Sequence, residues 1–481
     1  MSVNQESRLR PIPPSDLPAT LGALRESAWK SRSVAEELAA NLEGVIAAQS
    51  SLSAGVQGFE TTVLPQLETA ILAEHDIILL GERGQAKTRL IRSLVNLLDE
   101  WMPIVAGSEI NDDPFHPVSA QARNLVAELG EESPIAWVHR SERYGEKLAT
   151  PDTTIADLIG EVDPIKVAEG RYLSDELTIH YGLVPRVNRG IFAINELPDL
   201  AERIQVGLLN VLEERDIQIR GHRIRLPLDI VLVATANPED YTNRGRIITP
   251  LKDRFGAQIR THYPREVDTE IDIVRREARV APTTKAVKVP WFIERIIGEV
   301  SHLARRSPML NQRSGVSVRL TIANYESIVA NAMRRSLRTH EEEIVPRISD
   351  LAAALASTQG KVEVETLEEG READIIAQLF AAATLLVFRD AVVLTQAAEI
   401  LAAFDGEVIA HTGDDLASAE YGSLLAHIPV LEAPTRAIAG DEAGPGEMAA
   451  ALEFLLEGLH LTKRLNKDAS GPRALYRSKG S

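Results

Sequence analysis

Between about residues 60 and 265, short apolar runs alternate with segments whose apolar residues recur at helical spacing. Three runs are apolar almost throughout and end in polar or turn residues: Ile77–Leu80, Ile191–Ile194 and Ile230–Thr235. Continuous apolar runs of this length are typical of strands buried on both faces of a parallel sheet. The alternation therefore predicts an α/β domain in which these runs are central strands.

The segments on either side of the α/β domain, which we assign to residues 56–265, have helical patterns. Residues 1–55 start with several prolines and continue into a helix-like run, SVAEELAANLEGVIAAQ. Residues 266–345 and the Ala/Leu-rich, acidic residues 346–465 predict two further helical regions. The polar residues 466–481 contain Gly and Pro, and we expect them to form a mobile tail.

The most apolar long stretch, Ile375 to Phe388, covers 14 residues and includes Gln378 and Thr384. Because a membrane-spanning helix needs about 20 apolar residues, this stretch predicts a buried core helix and no membrane span.

Composition and charge narrow the possible functions of the 481-residue chain, which is long enough for about three domains. Its formal net charge of −18 argues against general binding to nucleic acids or to anionic membranes, which require basic surfaces. The chain has no cysteine, and its N-terminal residues lack the pattern of a signal peptide. We therefore expect a cytoplasmic protein without disulfides.

A glycine-containing loop, GERGQAKT, joins the first apolar run to a segment of helical spacing, RLIRSLVNLLDEW. In this context the backbone N–H groups of such a loop surround a phosphate at a helix N-terminus. Lys87 would reach the β- and γ-phosphates, and the Thr88 hydroxyl would ligate Mg²⁺. The predicted loop residues are Gly81, Glu82, Arg83, Gly84, Gln85, Ala86, Lys87 and Thr88. The predicted helix face consists of Leu90, Leu94, Val95, Leu98 and Trp101.

The loop departs from the usual pattern at Ala86, since the residue before the lysine is usually glycine. A methyl group is tolerable there if the backbone φ is negative, although it crowds the phosphates.

The second apolar run ends in Asn195 and Glu196, where ATPases of this kind usually carry Asp-Glu. The Asn195 amide can accept a hydrogen bond from a metal-bound water, but it carries no charge to attract Mg²⁺. Glu196 is the candidate general base, with a solvated glutamate at a strand end as the alternative. The residues that follow predict one apolar helix face, made of Leu197, Leu200, Ile204, Leu208 and Leu212.

Asn237 follows the third apolar run. A neutral amide at that place can hold the attacking water or the γ-phosphate, and an Asn-Pro turn is the alternative.

Two arginines are candidates for contacts with phosphate. Arg254, in TPLKDRFGAQIR, could reach the nucleotide of a neighbouring subunit or could form a surface pair with the preceding aspartate; Arg244 and Arg246 compete for the role. Arg319, in SGVSVRLTIANYE, could contact phosphate within its own subunit or could be a solvated arginine at a helix start. Arg313 is the second choice for that position.

The order of these segments resembles the ATPase (I) subunit of magnesium chelatase and the MoxR-type ATPases, members of the helix-insert branch of AAA+ proteins. The resemblance covers about residues 55 to 340, and its most specific parts are GLVPRVNRGIFAINE and the pair NPE and LKDRF. It implies a three-layer αβα core with a parallel sheet, followed by a helical lid at residues 266–345 and a further helical C-terminal region.

The same resemblance implies ATP and Mg²⁺ as cofactors and assigns a role to each candidate. Lys87 and Thr88 would bind ATP·Mg²⁺, with Asn195 acting on the metal through water. The remaining roles would be water activation by Glu196, the first sensor at Asn237, the arginine finger in trans at Arg254 and the second sensor at Arg319. It also implies a hexameric ring with a partner protein that carries a von Willebrand A domain.

The segment EERDIQIRGHRIRLPLD alternates polar and apolar residues around Arg220, Gly221 and His222, which predicts a β-hairpin. Such a hairpin could face the pore of a ring or lie on the surface.

Three classes of function remain open at this point. The first is an ATP-driven remodelling subunit, either for metal chelation or as a MoxR-like chaperone, in which case chelation itself would occur in other subunits. The second is an enhancer-binding transcription activator, although the chain lacks a GAFTGA loop and is strongly acidic. The third, suggested by Ala86 and Asn195, is a nucleotide-bound scaffold with little turnover.

Overall fold

The computed structural model describes most of the chain, and the chain divides into two compact units. The described residues are 11–53, 55–163, 178–213, 216–218, 225–237, 245–312, 315–364, 371–392, 397–404, 408–470 and 473–478. The first unit comprises residues 1–82 and 86–262, and the second comprises residues 83–85 and 263–481.

The strands are numbered in chain order. In the first unit they are β1 (Ile77–Leu80), β2 (Trp101–Val105), β3 (Ile135–His139), β4 (Tyr144–Leu148), β5 (Gly160–Val162), β6 (Ile179–Tyr181), β7 (Gly190–Asn195), β8 (Asp216–Gln218), β9 (Arg225–Pro227), β10 (Ile230–Ala236) and β11 (Ala257–Arg260). Within the described residues, a five-stranded parallel sheet has the order β11-β1-β10-β7-β4. The three strands predicted from apolar runs are its three central strands, so this prediction is confirmed.

The sheet separates two apolar cores, because successive side chains of a strand point to opposite faces. In β1, Ile78 and Leu80 belong to one core, whereas Ile77 and Leu79 belong to the other. The residues of β7 and β10 alternate in the same way. Helices cover both faces, which confirms the predicted three-layer αβα architecture with a parallel sheet.

The helices of the first unit are Leu21–Glu26, Val34–Ala47, Val63–Leu72, Lys87–Ser93, Ala120–Leu129, Ile155–Leu158, Leu183–Arg186, Glu202–Glu213 and Thr249–Arg254. The predicted N-terminal helix is present, and a capping box fixes its start. The Ser33 hydroxyl accepts from the Glu36 N–H at 3.2 Å, and the Glu36 carboxylate accepts from the Ser33 N–H at 2.8 Å. Such a box satisfies two N–H groups that lack partners within the helix.

The helix after the phosphate loop is shorter than the apolar spacing predicts. It ends at Ser93, a 3₁₀ turn covers Leu94–Leu97, and Trp101 is the first residue of β2. Trp101 pairs with His139 of the antiparallel strand β3, so a long-range strand pairing overrides the local helical pattern.

The helix after β7 also begins later than predicted. Leu197–Asp199 form a 3₁₀ turn, and the helix starts at Glu202. Leu197 and Leu200 are nevertheless buried, so the apolar pattern identified core residues but not their secondary structure.

The predicted β-hairpin is confirmed by the antiparallel pair β8 and β9, in which Ile217 faces Leu226. Its central residues Arg220, Gly221 and His222 lie outside the described residues.

The second unit is mainly helical, with helices Val267–Glu277, Trp291–Ala304, Val318–Arg338, Ala354–Gln359, Glu372–Ala391, Ala397–Ala403, Ser418–His427, Glu432–Ala439 and Pro445–Leu461. A single apolar core extends from Phe292 to Tyr476 and thus crosses the boundary that the sequence places near residue 345. The predicted core helix lies within Glu372–Ala391, where Ile376 and Val387 are buried. Within the described part of the chain, no helix is long and apolar enough to span a membrane.

The expectation of a mobile tail at residues 466–481 is wrong for most of that segment. The remaining strands are β12 (Ala286–Val287), β13 (Glu343–Ile344), β14 (Ala410–Gly413), β15 (Asn466–Ser470) and β16 (Arg473–Arg477). β15 and β16 form an antiparallel hairpin, and β16 also pairs with β14. Tyr476 is 2% exposed, and its hydroxyl donates to the Glu457 carboxylate. Burial of one tyrosine therefore fixes a segment whose composition is that of a loop.

Candidate nucleotide site

Three neighbouring strands of the sheet, β1, β10 and β7, end at the same edge. The phosphate loop follows β1, Asn237 follows β10, and the Asn195–Glu196 pair lies at the end of β7. Leu80 pairs with Ala236, and the Gly81 N–H donates to the Ala236 carbonyl at 3.0 Å. Carboxyl ends of parallel strands form the ligand-binding edge of open α/β sheets. β10 lies between β1 and β7, so the loop and the acidic strand end are two strand spacings apart, about 10 Å. Asn237 follows the strand between them.

The phosphate loop has the backbone conformation of an anion-binding turn. Gly84 and Ala86 have φ of 76° and 54°, and the helix begins immediately afterwards at Lys87. Left-handed residues among right-handed ones turn successive N–H groups toward one point. Lys87 is 7% exposed, and its ammonium donates to the carbonyls of Gly81 and Glu82. The lysine is therefore held against the inside of its own loop.

Ala86 does not meet the condition under which its methyl group is tolerable. Its φ of 54° and ψ of 15° are left-handed, and this conformation costs a residue with a Cβ about 1–2 kcal/mol. The loop geometry therefore requires at residue 86 the conformation that glycine adopts freely.

We expect Ala86→Gly to raise the free energy of unfolding by about 0.5–1 kcal/mol. Relief of the left-handed strain exceeds the entropy that glycine adds to the unfolded chain, which is roughly 0.4–1 kcal/mol. Urea unfolding of the nucleotide-free protein measures the change. Ala40→Gly, at an exposed position in the helix Val34–Ala47, is the control and should lower stability by about 1 kcal/mol. A loss of stability in both variants would contradict the strain at residue 86.

Asn195 is tied to a carboxylate on the adjacent strand. Its Nδ2 donates to the Glu146 Oε1 at 2.6 Å. Glu146 also accepts two hydrogen bonds from Arg92, at 2.8 and 3.1 Å, and one from the Tyr144 hydroxyl at 2.9 Å. Burial alone would raise the pKa of Glu146, but the hydrogen bonds from Arg92, Tyr144 and Asn195 hold it below its usual value. Glu146 could not be identified from the sequence, because YGEKL contains no motif and only strand register brings it to the site.

Glu196 has a left-handed backbone, with φ of 56°. Its N–H donates to the Thr235 hydroxyl at 3.0 Å, and that hydroxyl lies 3.4 Å from the Asn195 Oδ1. Left-handed residues other than glycine concentrate at functional sites, where the surrounding structure holds them in place. The half-buried Glu196 is therefore anchored through its backbone to the central strand β10.

The polar sensor candidate Asn237 is 5% exposed directly after β10. Arg254 is the last residue of the helix Thr249–Arg254, with its side chain 40% exposed and 3.8 Å from the exposed Asp253 carboxylate. The surface pair considered for Arg254 is thus present. Such an exposed pair is worth about 0–1 kcal/mol.

The other arginine candidates are exposed or lie outside the described residues. Arg319 lies in the second unit as the exposed second residue of the helix Val318–Arg338, where its N–H donates to the Ser317 hydroxyl at 3.2 Å. Arg246 is 3.6 Å from the exposed Glu202 carboxylate. Arg244 and Arg313 lie outside the described residues.

A cavity of about 600 Å³ lies elsewhere in the first unit. It is lined by Arg189, which precedes β7, and by Asp229, which precedes β10, so it opens near the amino ends of these strands. None of the predicted nucleotide residues lines it. Its volume therefore does not mark the nucleotide site, which is identified by side-chain and backbone geometry.

The donor set at the carboxyl edge fits ATP·Mg²⁺ with one departure. The loop supplies inward N–H groups, the Lys87 ammonium and the Thr88 hydroxyl, which suit a triphosphate and its metal. Asn195 supplies an amide oxygen where a carboxylate is usual.

Known proteins with similar sequences carry names from two groups. The family model described as "Sigma-54 interaction domain" matches residues 169–254. The magnesium-chelatase subunit ChlI-1 of Arabidopsis thaliana is 29% identical over 208 residues, which cover 42% of this chain and 46% of that protein. The magnesium-chelatase 38 kDa subunit of Cereibacter sphaeroides is 29% identical over 230 residues, which cover 45% of this chain and 60% of that protein.

Part of the chain is therefore similar in sequence to magnesium-chelatase subunits and to the sigma-54 interaction domain. The matches span about half the length of the first of these relatives, at 46%, and somewhat more of the second, at 60%. Among solved structures, the magnesium-chelatase complex of subunits BchI and BchD aligns with this chain at 19% identity. The alignment covers 69% of this chain and 95% of that one, with a TM-score of 0.36.

Proposed function

We propose that this protein is an AAA+ ATPase that binds and hydrolyses ATP·Mg²⁺ and uses the energy to remodel a partner protein during metal or cofactor insertion. One observation carries the proposal. The phosphate loop, Asn237 and the Asn195–Glu196 pair meet at one edge of the sheet, on three neighbouring strands in the order β1-β10-β7.

Each of these residues has one task in the proposed hydrolysis. Lys87 turns from its loop carbonyls to the β- and γ-phosphates, and Thr88 holds Mg²⁺, which neutralises charge on the phosphates. Glu196 accepts a proton from the attacking water, and the Asn237 amide orients that water or the γ-phosphate. Asn195 directs its oxygen toward a water molecule of the metal shell.

The proposal extends to assembly. Arg254 acts in trans on the nucleotide of a neighbouring subunit in a hexameric ring, while Arg319 acts within its own subunit. The ring passes its motion to a partner with a von Willebrand A domain, which applies both to a chelatase and to a MoxR-like chaperone. A pull-down with ATP tests the partner, and recovery of a von Willebrand A protein is the expected result.

The family match to residues 169–254 favours a second candidate, an enhancer-binding transcription activator. Recovery of RNA polymerase in the same pull-down would support it. The net charge of −18 and the lack of a GAFTGA loop argue for the remodelling subunit instead.

We expect Glu196→Gln to lower the rate of ATP hydrolysis about 100-fold or more, because a positioned general base contributes roughly 10²–10⁴-fold. ATP binding should remain, since the substitution keeps the side-chain shape and leaves the phosphate loop intact. A steady-state phosphate-release assay measures hydrolysis, and calorimetry measures binding.

The matched control is Glu202→Gln, an exposed glutamate on the following helix whose side chain is 65% exposed. It should hydrolyse ATP at the wild-type rate. If wild type and Glu196→Gln both bind ATP and are equally inactive, the proposed ATP-driven function is wrong. The alternative, a nucleotide-bound scaffold with little turnover, is then supported.

A further inference from the structure

We propose that Glu146 is a positioning residue that orients Asn195 and supplies a negative charge beside it, in place of the carboxylate that is usual at position 195. The inference rests on the proposed function, because it concerns how the same site holds Mg²⁺. Glu146 lies on β4, and the parallel register places Glu146 beside Ala193 and Leu148 beside Asn195.

The hydrogen bond between these side chains fixes which way the Asn195 amide points. A carboxylate can only accept, so the atom that lies 2.6 Å from the Glu146 Oε1 must be the amide nitrogen. The Asn195 Oδ1 then faces the other way, toward the Thr235 hydroxyl at 3.4 Å. Glu146 therefore holds the amide with its oxygen available as an acceptor on the side where metal-bound water is expected.

The carboxylate of Glu146 is itself held firmly. Arg92, on the helix that follows the phosphate loop, donates to both of its oxygens, and the Tyr144 hydroxyl donates to one. The Glu146 side chain is 21% exposed, whereas that of Arg92 is 63% exposed. The carboxylate is therefore more shielded from solvent than the guanidinium that pairs with it.

In this arrangement a carboxylate lies on β4, one strand away from its usual position at the end of β7. The carboxylate that commonly ends the strand is replaced by an amide, and a carboxylate on the next strand accepts a hydrogen bond from that amide. Outer partners of this kind typically change metal affinity 10–100-fold when they are removed.

The arrangement also explains why a carboxylate at position 195 is unfavourable here. It would lie within hydrogen-bond distance of the Glu146 carboxylate, and two like charges at that distance disfavour each other. One of the two carboxylates would then be protonated or displaced, so Asn195→Asp alone should weaken Mg²⁺ binding through loss of the oriented acceptor at position 195.

The test uses the full-length protein and a fluorescent ATP analogue, with the Mg²⁺ concentration that gives half-maximal binding as the readout. Glu146→Gln should raise this concentration about tenfold, the lower end of the range for outer partners. Asn195→Asp should also raise it. The double variant Glu146→Gln/Asn195→Asp should return within about threefold of wild type, because the new amide donates to the new carboxylate and the charge is restored. Glu142→Gln, at an exposed position before β4, is the control and should behave as wild type.

The outcomes separate the inference from the proposed function. If wild type requires Mg²⁺ and Glu146→Gln does not change that requirement, Glu146 has no role toward the metal. If the double variant is as weak as the two single effects added together, Glu146 only supports the fold through Arg92. If wild type binds no nucleotide with or without Mg²⁺, the proposed function fails first. Should Glu146→Gln not fold, tighter Mg²⁺ binding by Asn195→Asp alone would overturn the inference, and weaker binding would support it.

Discussion

Replacing Lys87 by methionine is expected to lower the affinity for ATP about 100-fold or more. The ammonium, which donates to the carbonyls of Gly81 and Glu82, would exchange these bonds for charged phosphate oxygens. A hydrogen bond to a charged group contributes about 1.5–3 kcal/mol, and 1.4 kcal/mol corresponds to tenfold in affinity. Methionine keeps the length of the apolar stem, so the loss reports on the charge. Calorimetric titration with ATP and Mg²⁺ measures it.

The control for this experiment is Lys30→Met, which removes an exposed lysine of the same unit. It should bind ATP as wild type does. The nucleotide-free Lys87→Met protein should unfold at a similar or slightly higher temperature, since burying an ammonium is costly. If Lys87→Met bound ATP with wild-type affinity, the proposed role of the phosphate loop in ATP binding would be wrong.

Arg347→Met is expected to lower the free energy of unfolding of the second unit by about 3–5 kcal/mol, the usual cost of breaking a buried ion pair. Arg347 is fully buried and donates to the Glu341 carboxylate at 2.7 Å, to the Ser418 hydroxyl at 2.5 Å and to the Leu416 carbonyl at 2.9 Å. Its guanidinium also lies 4.8 Å from the ring centre of Tyr421.

Removal of Arg347 leaves an unbalanced set of buried acids. Glu341 would still form an ion pair with the buried Arg335 at 2.8 Å. Arg335, however, also pairs with the Asp350 carboxylate at 2.9 Å. Glu453 is 2% exposed, and burial raises its pKa, whereas the positive charge of Arg347 lowers that pKa. With a stability of about 5–15 kcal/mol for a typical domain, the expected loss is a large fraction of the total.

The control is Arg334→Met, the neighbour of Arg335 in sequence, whose exposed pair with Asp414 is 3.1 Å long. Its loss should cost about 1 kcal/mol or less. Urea unfolding compares the two variants, and Arg347→Lys, which keeps the charge but loses the planar donor set, should fall between them. Equal midpoints for Arg347→Met and Arg334→Met would show that the buried network adds no stability.

Much of the candidate site could be predicted because its signals are local. The phosphate loop is one continuous segment between a buried strand and a helix, and Asn195, Glu196 and Asn237 follow apolar runs that have few alternatives to a central strand. Ala86 shows the limit of such predictions. The sequence identified the unusual residue, but the sign of its φ depends on the closed path of the loop.

The sequence by itself determined the apolar strands, the two-faced sheet and the order of the nucleotide-binding segments, because these follow from residue type and from periods of two or about 3.6 residues. Only the tertiary structure decided the position of Glu146 beside Asn195, the pairing of Trp101 with β3 and the burial of Tyr476 in a C-terminal hairpin. These features depend on strand register and on contacts between residues far apart in the chain, and no local pattern of apolar and polar residues specifies them.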